Sequence, residues 1–227
     1  MAAQASPLFD LASLPEPQAD APAAPASVLA RLAQLHAEAV DTARLANLLG
    51  RSAYAIAALG ALAITALAVH GRTAAPSIAW AILMAVGLLA MVHAYALAIR
   101  QPFERAALHA FSQDLRACLL YVGFAWGAGA FLVLSASASG IAVLLFAAAP
   151  AVALAGLLRE REPVLLFLAP AAGLSSLACA LRPVWGGALA ASMVLLGCAV
   201  IAVALETIAR ADGKKHIAAL PRGFTAA

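Results

Sequence analysis

The chain has 227 residues, 65% of them hydrophobic, 11% charged and 6% aromatic, with a formal net charge of +3 and a mean hydropathy of +0.95. An ordinary soluble domain is about 45–50% apolar and about 25% charged, so this composition excludes a water-soluble globule and a disordered chain. A surplus of three positive charges is too small a footprint for phosphate backbones, and no nucleic acid is expected as a partner.

Residues 1–26 are rich in Ala and Pro and carry Asp10, Glu16 and Asp20. They read as a disordered tail, with Pro7-Leu8-Phe9 as an alternative short docking peptide. They lack a basic n-region and an apolar h-region, which predicts no secretory signal. From 27 to 52 a helix is expected, opened by Pro25 and an N-cap at Ser27. It carries Leu29, Leu32, Leu35, Val40, Leu45 and Leu48, but Arg31, Gln34, His36, Glu38, Asp41 and Arg44 gather on no clean face. The pattern is too ragged for a coiled coil and predicts a cytoplasmic helix that lies against the bundle or binds a partner.

A helix crosses the roughly 30 Å hydrocarbon core with about 20 apolar residues. Six stretches qualify: 53–70, 77–99, 117–134, 140–158, 163–181 and 187–205. None contains Asp, Glu, Lys or Arg. Continuous apolar runs exclude a barrel, whose strands alternate. The predicted fold is all-α: a polytopic transmembrane bundle of six spans in three antiparallel hairpins.

With the N-terminus inside, twelve of the fourteen basic residues fall in 1–52, 100–116, 159–162 and 206–227, leaving Arg72 and Arg182 outside. That bias predicts cytoplasmic N- and C-termini, with 206–227 a basic tail. Tyr54, Tyr95 and Tyr121 then belong to the inner aromatic belt, and Trp80 and Trp185 to the outer one. The lipid bilayer is the first partner, and a bacterial inner membrane fits the charge pattern.

Between spans two and three, residues 102–116 are expected to form an interfacial helix. At about 100° per residue, Phe103, Ala107, Leu108, Phe111 and Leu115 share one sector, while Arg105, His109, Ser112 and Arg116 line the other. Arg105, His109 and Arg116 are thereby headgroup candidates, as are Arg159 and Arg161 in the Arg159-Glu160-Arg161-Glu162 turn. That turn is expected to pair its charges internally. The segments 1–52 and 102–116 are the expected contact surfaces for a protein partner.

Within the spans, Gly123 and Gly127 form a GxxxG motif, expected to serve helix packing inside the chain, with a dimer face as the alternative. Pro150 and Pro170 interrupt spans four and five about 10–12 Å below the same surface. Paired interruptions point to a binding or gating site, with Ser175 and Ser176 nearby to meet freed backbone groups or a solute. Against this stands the plain reading that prolines kink membrane helices. His93, deep in span two, is a functional candidate by its polarity. It lacks a second axial ligand at like depth, so no haem, metal or other cofactor is expected, and a hydrogen bond to another helix is the expected role.

Cys118, Cys179 and Cys198 fall in different spans and show no CxxC spacing, so neither a zinc site nor a dithiol redox centre is indicated, and they read as small apolar packing residues. No span carries a carboxylate for coupled transport, and no HExxH, GxGxxG, GxxxxGK[ST] or GxSxG motif occurs. The expected role is a non-catalytic accessory, assembly or regulatory component. The alternative is a channel or uncoupled carrier for a small neutral solute, gated at the paired prolines. A lipid-active enzyme using the headgroup candidates stands third, for want of a nucleophile or metal site.

Overall fold

The structure, a computed structural model, describes residues 25–71, 74–101, 104–135, 138–182 and 187–218. The 1–24 part of the tail, Arg72, Pro102, Phe103, Trp185 and the last nine residues of the basic tail lie outside the described residues. The described residues form six α-helices: α1 Pro25–His70, α2 Ala74–Arg100, α3 Arg105–Leu132, α4 Gly140–Leu158, α5 Arg161–Leu181 and α6 Gly187–Ala218. Each contains a window long and apolar enough to cross a membrane. The chain is therefore an all-helical, multi-pass integral membrane protein. Residues up to Asp41 and residues from Thr42 onward form two compact units, and α1 contributes to both.

Two boundaries differ from those expected. Residues 105–116 are not a separate helix but the first turns of α3. No glycine or proline lies between Arg105 and Val122 to break it. The apolar side expected to meet lipid, formed by Leu108, Phe111 and Leu115, is buried inside the protein. Likewise α6 continues through Ala218, into the stretch expected as a tail.

α3 packs against α2 and α5, α4 against α5 and α6, and α6 against α5. α3 and α4 follow one another in the chain yet touch only sparsely. The contacts of α3 and α5 advance together: Arg116 meets Glu162, and the Phe131 carbonyl meets Arg182. The two helices are thus parallel. Against α2 the order reverses. Gly87 abuts Tyr121 and Val122, while Trp80 reaches Ala125. Arg182, expected as an outer-loop charge, sits at the end of α5 and donates to the carbonyls of Phe131 (2.9 Å) and Leu134 (3.4 Å). It neutralises the negative end of the α3 dipole.

The seam between α3 and α5 needs glycine. A Cβ on Gly123 would strike the Phe167 carbonyl oxygen and the Pro170 ring. One on Gly127 would lie 2.8 Å from Leu174 Cβ and 3.0 Å from the Ala171 backbone. The GxxxG pair is thus spent on packing within the chain.

Trp80 is fully buried, not part of an outer belt. Its indole N–H donates to the Ala125 carbonyl at 2.7 Å, a partner that frees it from the need for water. It meets Trp126 edge-on at 5.6 Å between ring centroids, and Trp126 stacks on Phe146 at 5.0 Å. Gly129 makes room, since a Cβ there would lie 2.6 Å from the Trp80 indole nitrogen.

Pro150 lacks an N–H and leaves the Phe146 carbonyl, four residues earlier, without its helical donor. The Trp126 indole N–H fills that vacancy at 2.7 Å. Pro170 seats its ring against Gly123. One turn of α3, Gly123 to Gly127, therefore receives both proline sites.

Trp126→Phe should cost about 1–3 kcal/mol, because it orphans a buried carbonyl. In a Pro150→Ala background the backbone gains an N–H at position 150, and the cost of Trp126→Phe should fall by at least about 0.5 kcal/mol. Unfolding of the four variants in detergent checks this, and equal costs in both backgrounds would refute it. Gly123→Ala should destabilise by about 1–3 kcal/mol through overpacking. Gly156→Ala, where nothing lies within 4 Å of the new methyl, should be neutral or gain about 0.5–1 kcal/mol; the same assay compares them.

Candidate functional site

The turn between α4 and α5 is built to spread its charges. α4 ends on Arg159, which takes the left-handed conformation (φ 54°, ψ 22°) and donates its N–H to the Ala155 carbonyl. A non-glycine residue there costs on the order of 1–2 kcal/mol. Glu160 then turns extended (φ −121°, ψ 131°) and stands at the N-cap of α5. Its carboxylate does not cap the helix. It accepts instead from Arg44 of α1, Nε at 2.7 Å and Nη2 at 3.0 Å. Glu162 pairs with Arg116 of α3 at 2.5 Å. The two glutamates thus bond to arginines on two different helices. The extended residue at 160 is the cause, because it sends the two carboxylates apart.

Around the first pair lies a cavity of about 480 Å³ lined by Arg44, Asn47, Leu48, Arg51, Leu158, Arg159, Glu160 and Arg161. Four guanidinium groups face one carboxylate there. Arg51 is half-buried and Arg159 exposed; neither side chain makes a hydrogen bond or ion pair among the described residues. The first-turn amides of α5, which the Glu160 side chain does not cap, add the positive end of a helix dipole at the same turn. The arrangement can hold an anion. Its lining offers no hydroxyl, thiol or imidazole, and its one carboxylate, Glu160, is bonded to Arg44.

A second cavity of about 450 Å³, lined by Arg116, Leu120, Glu162, Leu165, Leu166 and Ala169, runs between α3 and α5 and is largely apolar. Leu166 is the residue whose carbonyl Pro170 deprives of its helical donor.

Of the headgroup candidates, Arg159 and Arg161 come together in the basic cavity. Arg105, His109 and Arg116 do not line it, because all three stand on α3. Pro150, Pro170, Ser175 and Ser176 are all buried. Ser176 Oγ donates to the Gly173 carbonyl at 2.8 Å, whereas Ser175 Oγ has no hydrogen-bond partner among the described residues.

His93 departs from its expected role. It is exposed on α2 and makes no hydrogen bond among the described residues. The buried face of α2 passes through Ser77, Trp80, Met84, Gly87 and Met91. Two residues beyond Met91, the side chain points away from it.

Arg44, Asn47 and Arg51 are the site residues that sequence reasoning missed. Their spacing of three and four places them on one face of α1, a polar stripe legible without the structure. What pairs with it, 116 residues away in the chain, is not.

No protein-family model, curated protein or solved structure matches the chain.

The Glu160 side chain is only 11% exposed, against 50% for Glu162. Arg44→Ala should therefore cost about 1.5–3 kcal/mol, by stranding a shielded carboxylate. Arg116→Ala should cost under about 1 kcal/mol, as solvated pairs do. Thermal unfolding in one detergent ranks the two, and the reverse order would contradict the assignment.

Proposed function

We propose that this protein is a non-catalytic accessory component of a membrane assembly. The single observation behind the reading is an apolar stripe on the first part of α1. Val28, Leu32 and Leu35 are exposed by 50%, 56% and 55%, and at about 100° per residue they fall within a 60° sector. That is the pattern an amphipathic partner helix packs against. Residues 25–41 belong to a different compact unit from the residues that follow Asp41. The docking surface is confined to them, since Leu108, Phe111 and Leu115 of the other expected contact segment are buried.

The rest of the reading follows the charge pattern. Six spans in three antiparallel hairpins, both termini in the cytoplasm and a bacterial inner membrane all accord with twelve of fourteen basic residues on one side. Support for a static bundle over a gated one comes from the prolines, whose sites are taken up by Trp126 and Gly123. A second reading, a channel or uncoupled carrier for a small neutral solute, draws on the buried Ser175 hydroxyl and its missing partner.

Leu32→Glu/Leu35→Glu in the full chain should strip a specific partner from the complex extracted in mild detergent, as read by mass spectrometry. The thermal midpoint of the membrane body should stay within about 2 °C, since the exposed pair carries no packing. An unchanged set of companions would end the accessory reading.

A further inference from the structure

We propose that the cavity lined by Arg44, Asn47, Arg51, Arg159, Glu160 and Arg161 is a binding site for a phosphate group, carried by a lipid headgroup or free in solution. The inference is independent of the docking stripe on α1.

Charge is the first argument. Four arginines and one glutamate line the cavity, a formal excess of three positive charges. Arg44 is committed to Glu160 in the geometry described above. Arg51 and Arg159 have no anionic partner among the described residues. Holding two guanidinium groups beside a third is repulsive, and a dianionic or monoanionic phosphate relieves it. Guanidinium forks match phosphate oxygens in pairs, and Asn47 adds a neutral amide donor.

Preorganisation is the second. Glu160 spends both carboxylate oxygens on Arg44, which fixes that fork in place. The same bond keeps the Glu160 carboxylate off the start of α5, whose dipole favours an anion there.

Backbone strain is the third. Position 159 has φ 54°, where glycine would be accommodated without penalty. The chain carries an arginine there instead. An outlier kept against its conformational cost points to a function for the side chain.

Size decides the class of ligand. About 480 Å³ exceeds a bare phosphate and suits a phosphate with a small polar substituent, such as a glycerophosphate headgroup. Leu48 and Leu158, both buried, close the floor of the cavity.

The test uses the full chain, purified in detergent. One arm titrates inorganic phosphate by calorimetry. The other offers phosphatidylglycerol against phosphatidylcholine and counts retained lipids by native mass spectrometry. At least one arm should bind, and Arg51→Gln/Arg159→Gln should weaken it by tenfold or more, while Arg100→Gln leaves it unchanged. Binding in the lipid arm alone assigns the phosphate to a headgroup; binding in both assigns it to either source. Should the double variant not fold, the wild-type protein is treated with phenylglyoxal. The bound probe should then slow modification of Arg51 and Arg159 at least fivefold by peptide mapping. No binding in either arm, equal binding by a folded double variant, or no protection of those two arginines would overturn the site.

Discussion

In hydrocarbon a peptide group has no water to fall back on, so every amide and carbonyl must find its partner within the protein. A helix solves this for itself until a proline intervenes. α4 and α5 each carry one, Pro150 and Pro170, inside apolar windows. The bundle answers at one place. Trp126 lends its indole N–H to the carbonyl that Pro150 releases, and three residues away in the same helix Gly123 leaves space for the Pro170 ring. The tight approach of α3 to α5, the burial of Trp80 and the stacking of Trp126 on Phe146 all hang from this arrangement. α3 is accordingly the helix around which α2 and α5 gather.

The membrane fold was legible because charge is excluded so strictly from the spans. An ionised side chain in lipid is costly enough that its absence over twenty residues marks a span by itself. The role of Trp80 was not legible. An indole at a span end carries a polar tip that water or a carbonyl can satisfy, and only the position of Ala125 decides which. The α4–α5 turn misled for a related reason. Four alternating charges suggest local pairing, and nothing in their order announces that Glu160 also reaches α1 and Glu162 α3. His93 was read as an interhelical donor from its depth alone, whereas the face it occupies is set by the positions of Met84, Gly87 and Met91. Of the basic cavity, Arg159 and Arg161 were visible in the sequence. Arg44 and Arg51 joined them only through a contact spanning 116 residues.

The polar chemistry of the molecule is concentrated where helices end. Arg182 closes α3, Arg159 closes α4, and Glu160 stands before α5. Helix termini leave backbone groups unsatisfied and carry partial charge, so they are the natural stations for ionised side chains in a chain whose middles must stay neutral. The phosphate site proposed above extends this rule, with an external anion in the role that a capping side chain declined when Glu160 turned to Arg44.

The parallel seating of α3 on α5 sets a timetable for biogenesis. A ribosome delivers about 5–20 residues per second, so the 49 residues separating the ends of α3 and α5 take roughly 2.5–10 s to arrive. Through that interval the glycine-lined groove of α3 has no native occupant, since α4 touches α3 only sparsely. The nascent chain must wait in the bilayer with its tightest joint open, guarded by lipid or by the insertion machinery, until the fifth segment emerges.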